Sequence, residues 1–149
     1  MCWREMRRPA VGSRQSAVGS VMDEFAAEIR SYRDLRVGNE AMALAEAACR
    51  LTVVFPTSEL YGFTSQIRRA SASIPANIAE GYGRESKGAY VQFLRIAQGS
   101  IKELETHLLL AARIELIGEK AIEPVMSQCE TVGKMLRGLI KSLDRTNQV

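Results

Sequence analysis

The stretch KGAYVQFLRIAQGSIKELETHLLLAARIELIG, Lys87 to Gly118, decides the fold. Its residues Tyr90, Leu94, Ala97, Ile101, Leu104, Leu108 and Ala111 recur at steps of three and four, which places them along one face of a helix. Ile96, Leu109 and Ile114 widen the apolar surface, and Gly118 is the expected stop. A helix this long must bury its stripe, so the flanking sequence has to supply matching faces.

It does so on both sides. Upstream, Val37, Ala41, Leu44, Ala48, Leu51 and Phe55 form one stripe, and Leu60, Phe63, Ile67, Ala70, Ile74 and Ile78 form another. Phe55-Pro56-Thr57-Ser58 divides them: proline disfavours helix at the residue before it, and Thr57 or Ser58 can cap a new start. Gly81-Tyr82-Gly83 reads as a left-handed C-terminal stop, and Pro75 predicts a kink or brief break around Ser71 to Ile74. Downstream, Ile122, Met126, Cys129, Val132, Leu136, Ile140 and Leu143 make the last stripe, with Pro124 tolerated as a first-turn residue. No window alternates with period two and no Asn-Gly or Asp-Gly turn occurs, so no sheet is expected. The spacing predicts an all-α fold, an antiparallel up-and-down four-helix bundle with helices over 34–55, 58–80, 87–117 and 121–145 and the second kinked at Pro75.

Residues 1–21 read differently. Ala10-Val11-Gly12-Ser13 returns as Ala17-Val18-Gly19-Ser20, a small, polar repeat without helical periodicity. We expect a disordered N-terminal extension there, arising from an upstream start-site choice with Met22 as the natural start, and a single bundle domain over 22–149. A domain of this size buries roughly 68–70% of the surface its unfolded chain exposes, enough for a core. No apolar run approaches the ~18 residues of a membrane span, and the N-terminus has no apolar run followed by a small-residue cleavage site. The expectation is a soluble, cytoplasmic protein without a membrane partner. Cys2, Cys49 and Cys129 are odd in number and widely spaced, which suggests neither a disulfide frame nor a zinc site; Cys49 and Cys129 are expected to be buried, inert thiols.

The net charge is +3. Arg4, Arg7, Arg8 and Arg14 against Glu5 account for all of it, and the rest of the chain balances sixteen basic with sixteen acidic residues. Global charge is therefore no argument for nucleic acid; only local patches can be.

The run Phe55-Pro56, Leu60 to Ala70 and Ser73 to Arg84 closely resembles the four helix bundle proteins, also called the 23S rRNA intervening-sequence protein family, whose relatives include accessory proteins of diversity-generating retroelements. Tyr90, Phe93-Leu94, Ile96-Ala97, Gly99-Ser100, Lys102 to Thr106, Val132 to Leu136 and Gly138 to Ile140 extend the likeness, which covers about residues 33–145. Gly38 departs from it, standing where the family usually has tryptophan, so helix one lacks an aromatic anchor. The resemblance implies a ring-shaped homo-oligomer, a pentamer, and for some relatives an interaction with structured RNA or DNA or with a reverse transcriptase.

Two cationic groups stand out. Arg68, Arg69, Arg84, Lys87, Arg95 and Lys102 face only Glu80 and Glu85 between residues 66 and 102. Lys134, Arg137, Lys141 and Arg145 follow at steps of three, four and four, on one helix face. Cations in such a row suit phosphates, because each neutralised phosphate releases a counterion. Arg68, Arg69, Arg84, Lys87, Arg95, Lys102, Lys134, Arg137 and Lys141 are the candidate nucleic-acid-binding residues, reading shape and phosphate because no aromatics interleave them. The competing reading is a solvated helix exterior laced with i,i+4 pairs.

Asn77, Glu80, Gly81 and Glu103 are assigned structural or interface roles; the first three are expected to cap helix two and order its turn, with Arg84 paired to Glu80. Glu103 and His107 make half of a bundle metal motif, but His107 is the only histidine and the second half is missing, so no metal or cofactor is expected. No nucleophile elbow, phosphate loop or dinucleotide fingerprint occurs, and Gly81-x-Gly83 has neither a preceding strand nor a following lysine. A non-catalytic binder of structured nucleic acid, RNA before DNA, is the leading expectation; a protein-binding oligomeric scaffold is the rival.

Overall fold

The structure, a computed structural model, describes residues 35–145. Four helices fill it: α1 (Arg36–Leu51), α2 (Phe63–Tyr82), α3 (Lys87–Arg113) and α4 (Glu119–Arg145), with short 3-10 turns at Thr52–Val54 and Thr57–Glu59. No strand occurs among the described residues. The expected extension over 1–21 lies outside them.

Side-chain pairings fix the antiparallel order. Cys49 meets Ser71 while Arg68 reaches Thr52, so α1 and α2 run oppositely. Ser73 bonds Ser100 and Phe63 lies against His107, which reverses α3 on α2. Arg95 faces Asp144 across α3 and α4. Each helix packs on its chain neighbours, and α1 closes the square on α4.

The stripes read from sequence form the core: Val37, Ala41, Leu44, Ala48, Ile67, Ala70, Ile74, Ile78, Leu94, Ala97, Ile101, Leu104, Leu108, Cys129, Val132, Leu136 and Ile140 are all buried. Truncating one of these leucines or isoleucines to alanine costs about 2–5 kcal/mol, since packed helices cannot collapse fully into the hole.

Several helix ends differ from expectation. Leu51 ends α1, and Phe55 is extended (ψ 146°) as the residue before Pro56 must be. Neither Thr57 nor Ser58 caps α2. The helix begins later, at Phe63, whose N–H donates to the Glu59 carboxylate at 3.2 Å, and Leu60 therefore leaves the stripe and is exposed. No break occurs at Ser71 to Ile74: α2 is continuous from Phe63 to Tyr82 with Pro75 inside it. Gly81 and Gly83 are not left-handed, and Gly83 caps the helix at φ −74°.

Helix α3 starts as expected, with the Ser86 hydroxyl accepting from the Ala89 N–H. It stops before Gly118, at Glu115 (φ 62°), where the N–H groups of Leu116 and Glu115 donate to Ala111 and Ala112 carbonyls. That pair of bonds is a Schellman stop built on a non-glycine residue. Because α4 begins at Glu119, Pro124 sits in its second turn, past the first-turn position that tolerates proline at no cost.

Candidate nucleic-acid interface

Helix α4 turns Cys129, Val132, Leu136 and Ile140 inward. Arg137, Lys141 and Arg145 stand at four-residue steps beside that face and form one wall of an open groove of roughly 480 Å³. Arg95 and Gln98 of α3 form the other wall, with Asp144 between them. A second hollow of roughly 340 Å³ continues the line along α3 and α4, sharing Gln98 and Arg137 and reaching Lys102, Glu105 and Glu130. Gly133 lines it beside the Arg137 guanidinium, which a Cβ there would meet at the ordinary contact distance of 3.5 Å.

The nine candidate cations separate by partner. Arg84 and Lys134 lie 2.7 Å from Glu80 and Glu130 one turn away, and Lys102 lies 2.7 Å from Glu105. The hydrogen bond from Lys134 and its charge hold the exposed Glu130 carboxyl below the usual carboxylate range, with Arg137 adding to the effect. Arg68 donates to the Thr52 hydroxyl at 2.8 Å, which turns it toward the end of α1. Arg69 and Arg95 reach Glu103 and Asp144 across helices at 3.9 and 3.8 Å, loose contacts between exposed groups. Lys87 opens α3 and is not in the groove lining. Arg137, Lys141 and the additional Arg145 form no ion pair within 4.0 Å among the described residues. The groove thus gathers Arg95, Lys102, Arg137 and Lys141, and leaves out Arg68, Arg69, Arg84, Lys87 and Lys134.

The chain matches the profile of the 23S rRNA-intervening sequence proteins over residues 33–138. It belongs to that family. Its fold is similar to the crystal structure of a protein of unknown function from the S23 ribosomal protein family of Bacteroides thetaiotaomicron, with a TM-score of 0.64 and 26% identity over 70% of this chain and 98% of the other. No curated protein matches the chain.

The motif residues of this intervening-sequence family member serve the α2–α3 contact. Asn77 is no cap: its amide donates to the Ser73 carbonyl and hydroxyl, and Ser73 in turn meets the buried Ser100, a partly buried polar chain that joins α2 to α3. Gly81 is buried where a Cβ would lie 2.7 Å from Phe93 Cβ and 3.0 Å from Tyr90 Cδ2, so α3 approaches α2 there too closely for a side chain. Glu80 pairs with Arg84, whose guanidinium also stacks 4.9 Å over the Phe93 ring. Glu103 lies between Arg69 and His107, and the His107 ring packs edge-on against Phe63.

No group of three or more potential metal ligands exists among the described residues. Cys129 is fully buried and its thiol is pushed up to about 12, by desolvation first and by Glu105 second. Cys49 is only half-buried. The Tyr90 hydroxyl is buried without a partner, and burial raises its pKa, helped by Tyr82.

Among the described residues the large exposed apolar side chains are polarised. Val53, Val54, Leu60, Tyr61, Leu109, Leu110 and Ile114 all belong to the end of the bundle that holds the α1–α2 and α3–α4 connections; Ile96 alone lies elsewhere. Ile96, Leu109 and Ile114, expected to widen the apolar surface of the α3 stripe, are thus all exposed. No described helix is long and apolar enough to cross a membrane.

Proposed function

We propose that this protein is a non-catalytic bundle that holds structured nucleic acid, RNA before DNA, by its phosphates along the α3–α4 groove. One observation carries the reading: Arg137, Lys141 and Arg145 form a row on the groove wall that no carboxylate among the described residues claims, while most other candidate cations are engaged. Without aromatics in the lining, binding rests on charge and shape. A non-catalytic role fits the chemistry of the remaining groups, since His107 is held between Glu103 and Phe63 and the Cys129 thiol stays protonated.

Fluorescence anisotropy with a labelled RNA hairpin, on protein lacking residues 1–21, tests it. Three phosphate contacts give a log–log salt slope of about −2.1 to −2.7, a roughly twenty- to forty-fold loss of affinity between 50 and 200 mM salt. No binding at 50 mM salt refutes the reading.

A second reading is favoured by the apolar end. Seven exposed apolar side chains gathered at one end suit burial against another copy of this chain, in the ring-shaped homo-oligomer, a pentamer, that the family resemblance implies. Tyr61, 93% exposed, is the group to test. Tyr61→Ser with Val54→Ser lowers the assembly mass in light scattering if this end is the contact, and leaves it unchanged if it is not. A reverse transcriptase or another protein occupying this end is the remaining alternative, in which case the protein is a scaffold and its binding is insensitive to salt.

A further inference from the structure

We propose that the α3–α4 groove takes one unpaired strand, laid along α4 with successive phosphates on Arg137, Lys141 and Arg145, and not a double helix. The inference rests on the nucleic-acid reading above and specifies the form of the ligand. Steps of four residues rise about 6 Å along a helix, which matches the spacing of successive phosphates on one polynucleotide strand. The row is one cation wide. Across the groove, Arg95 faces the Asp144 carboxylate at 3.8 Å, and farther along the lysines flanking the second hollow are engaged by Glu105 and Glu130.

A duplex presents two phosphate rows on a rigid body. The floor between helices in contact spans only about 8–10 Å between axes, far too narrow for a duplex to enter. Its second row would lie over neutralised lysines and the carboxylates Glu105 and Glu130 in place of free cations. A single strand avoids both penalties, because it follows the wall and leaves its bases toward solvent. Gly99 keeps the opposite wall low: a Cβ there would meet nothing within 4 Å. The only amide in the lining, Gln98, cannot read a sequence alone, so the strand is held without base preference. In a structured RNA the ligand is then a loop or a junction strand.

The test is anisotropy with a labelled twelve-nucleotide oligouridine, a hairpin bearing a wide loop, and a blunt RNA duplex of equal charge, on protein lacking residues 1–21. The single strand and the loop bind at least tenfold more tightly than the duplex. The single-strand salt slope is about −2, and Arg137→Ala, Lys141→Ala or Arg145→Ala each lowers it by about 0.7. Lys87→Ala leaves the slope unchanged. The three α4 cations are exposed and Lys87 is half-buried, and unchanged thermal melts confirm folding. Equal or tighter duplex binding overturns the single-strand proposal while the nucleic-acid reading stands. Slopes that the three alanines do not move overturn the assignment to α4. Failure of all three probes at 50 mM salt overturns both.

Discussion

Replacing Gly81 with alanine should destabilise the bundle, against the general rule that alanine favours a helix. Its Cβ would sit 2.7 Å from Phe93 Cβ, 3.0 Å from Tyr90 Cδ2 and 3.3 Å from the Tyr90 carbonyl oxygen. Carbon atoms prefer separations of about 3.5–4.0 Å, so α2 and α3 must part by on the order of 1 Å locally. Overpacking of this kind costs about 1–3 kcal/mol. The propensity gain from glycine to alanine returns about 1 kcal/mol, leaving a net loss of up to about 2 kcal/mol. With a urea slope of roughly 2 kcal/mol per molar, the unfolding midpoint falls by up to about 1 M. Gly138→Ala is the matched control: it lies within α4, and its Cβ would meet nothing within 4 Å. That variant gains the propensity term alone, and its midpoint rises by about 0.5 M. If Gly81→Ala is as stable as Gly138→Ala, the close approach of α2 to α3 is not what excludes a side chain there.

Three further outcomes follow from individual groups. Glu115→Gly stabilises the protein by about 0.5–1 kcal/mol in the same urea assay, because glycine occupies φ 62° without the penalty glutamate bears. Asp144→Asn removes the carboxylate facing Arg95 in the groove and tightens RNA binding about two- to fivefold at 50 mM salt, an exposed pair being worth about 0.5–1 kcal/mol. Cys129, with its thiol pushed from 9.0 to about 12, resists alkylation at pH 8 while the protein is folded, as peptide mapping by mass spectrometry would show. Because that pKa is raised in the folded state, its contribution is intact below pH 9 and is lost as pH climbs from 9 toward 12; thermal midpoints of wild type should fall across that window more steeply than those of Cys129→Ala.

The helices were legible because an amphipathic stripe is a property of spacing within one segment, and Leu94, Ile101, Leu104 and Leu108 are buried as that spacing requires. Punctuation was less so. A glycine after a stripe signals either a left-handed stop or a close helix contact, and what decides for Gly81 is Phe93 and Tyr90, residues of another helix. Glu115 carries no glycine signal at all, although it supplies the stop of α3. The i,i+4 pairs Glu80–Arg84 and Glu130–Lys134 were readable from spacing, whereas Arg69–Glu103 and Arg95–Asp144 join different helices. For that reason the cationic row on α4 was visible, but which cations stay unpaired was not. Arg145 was already legible in that row, whereas Gln98 and Arg95 join it only through the α3–α4 packing.

The most direct test is binding of a labelled structured RNA at 50 mM salt by the protein lacking residues 1–21 and by its Arg137→Glu/Lys141→Glu/Arg145→Glu variant, with Arg68→Glu/Arg69→Glu as the charge-reversal control away from the groove. If the groove holds the RNA, the α4 reversal abolishes binding while the control, with one fewer reversal, weakens it only a few-fold through long-range charge. Equal losses in the two variants, or retained binding in the α4 reversal, would contradict the groove reading.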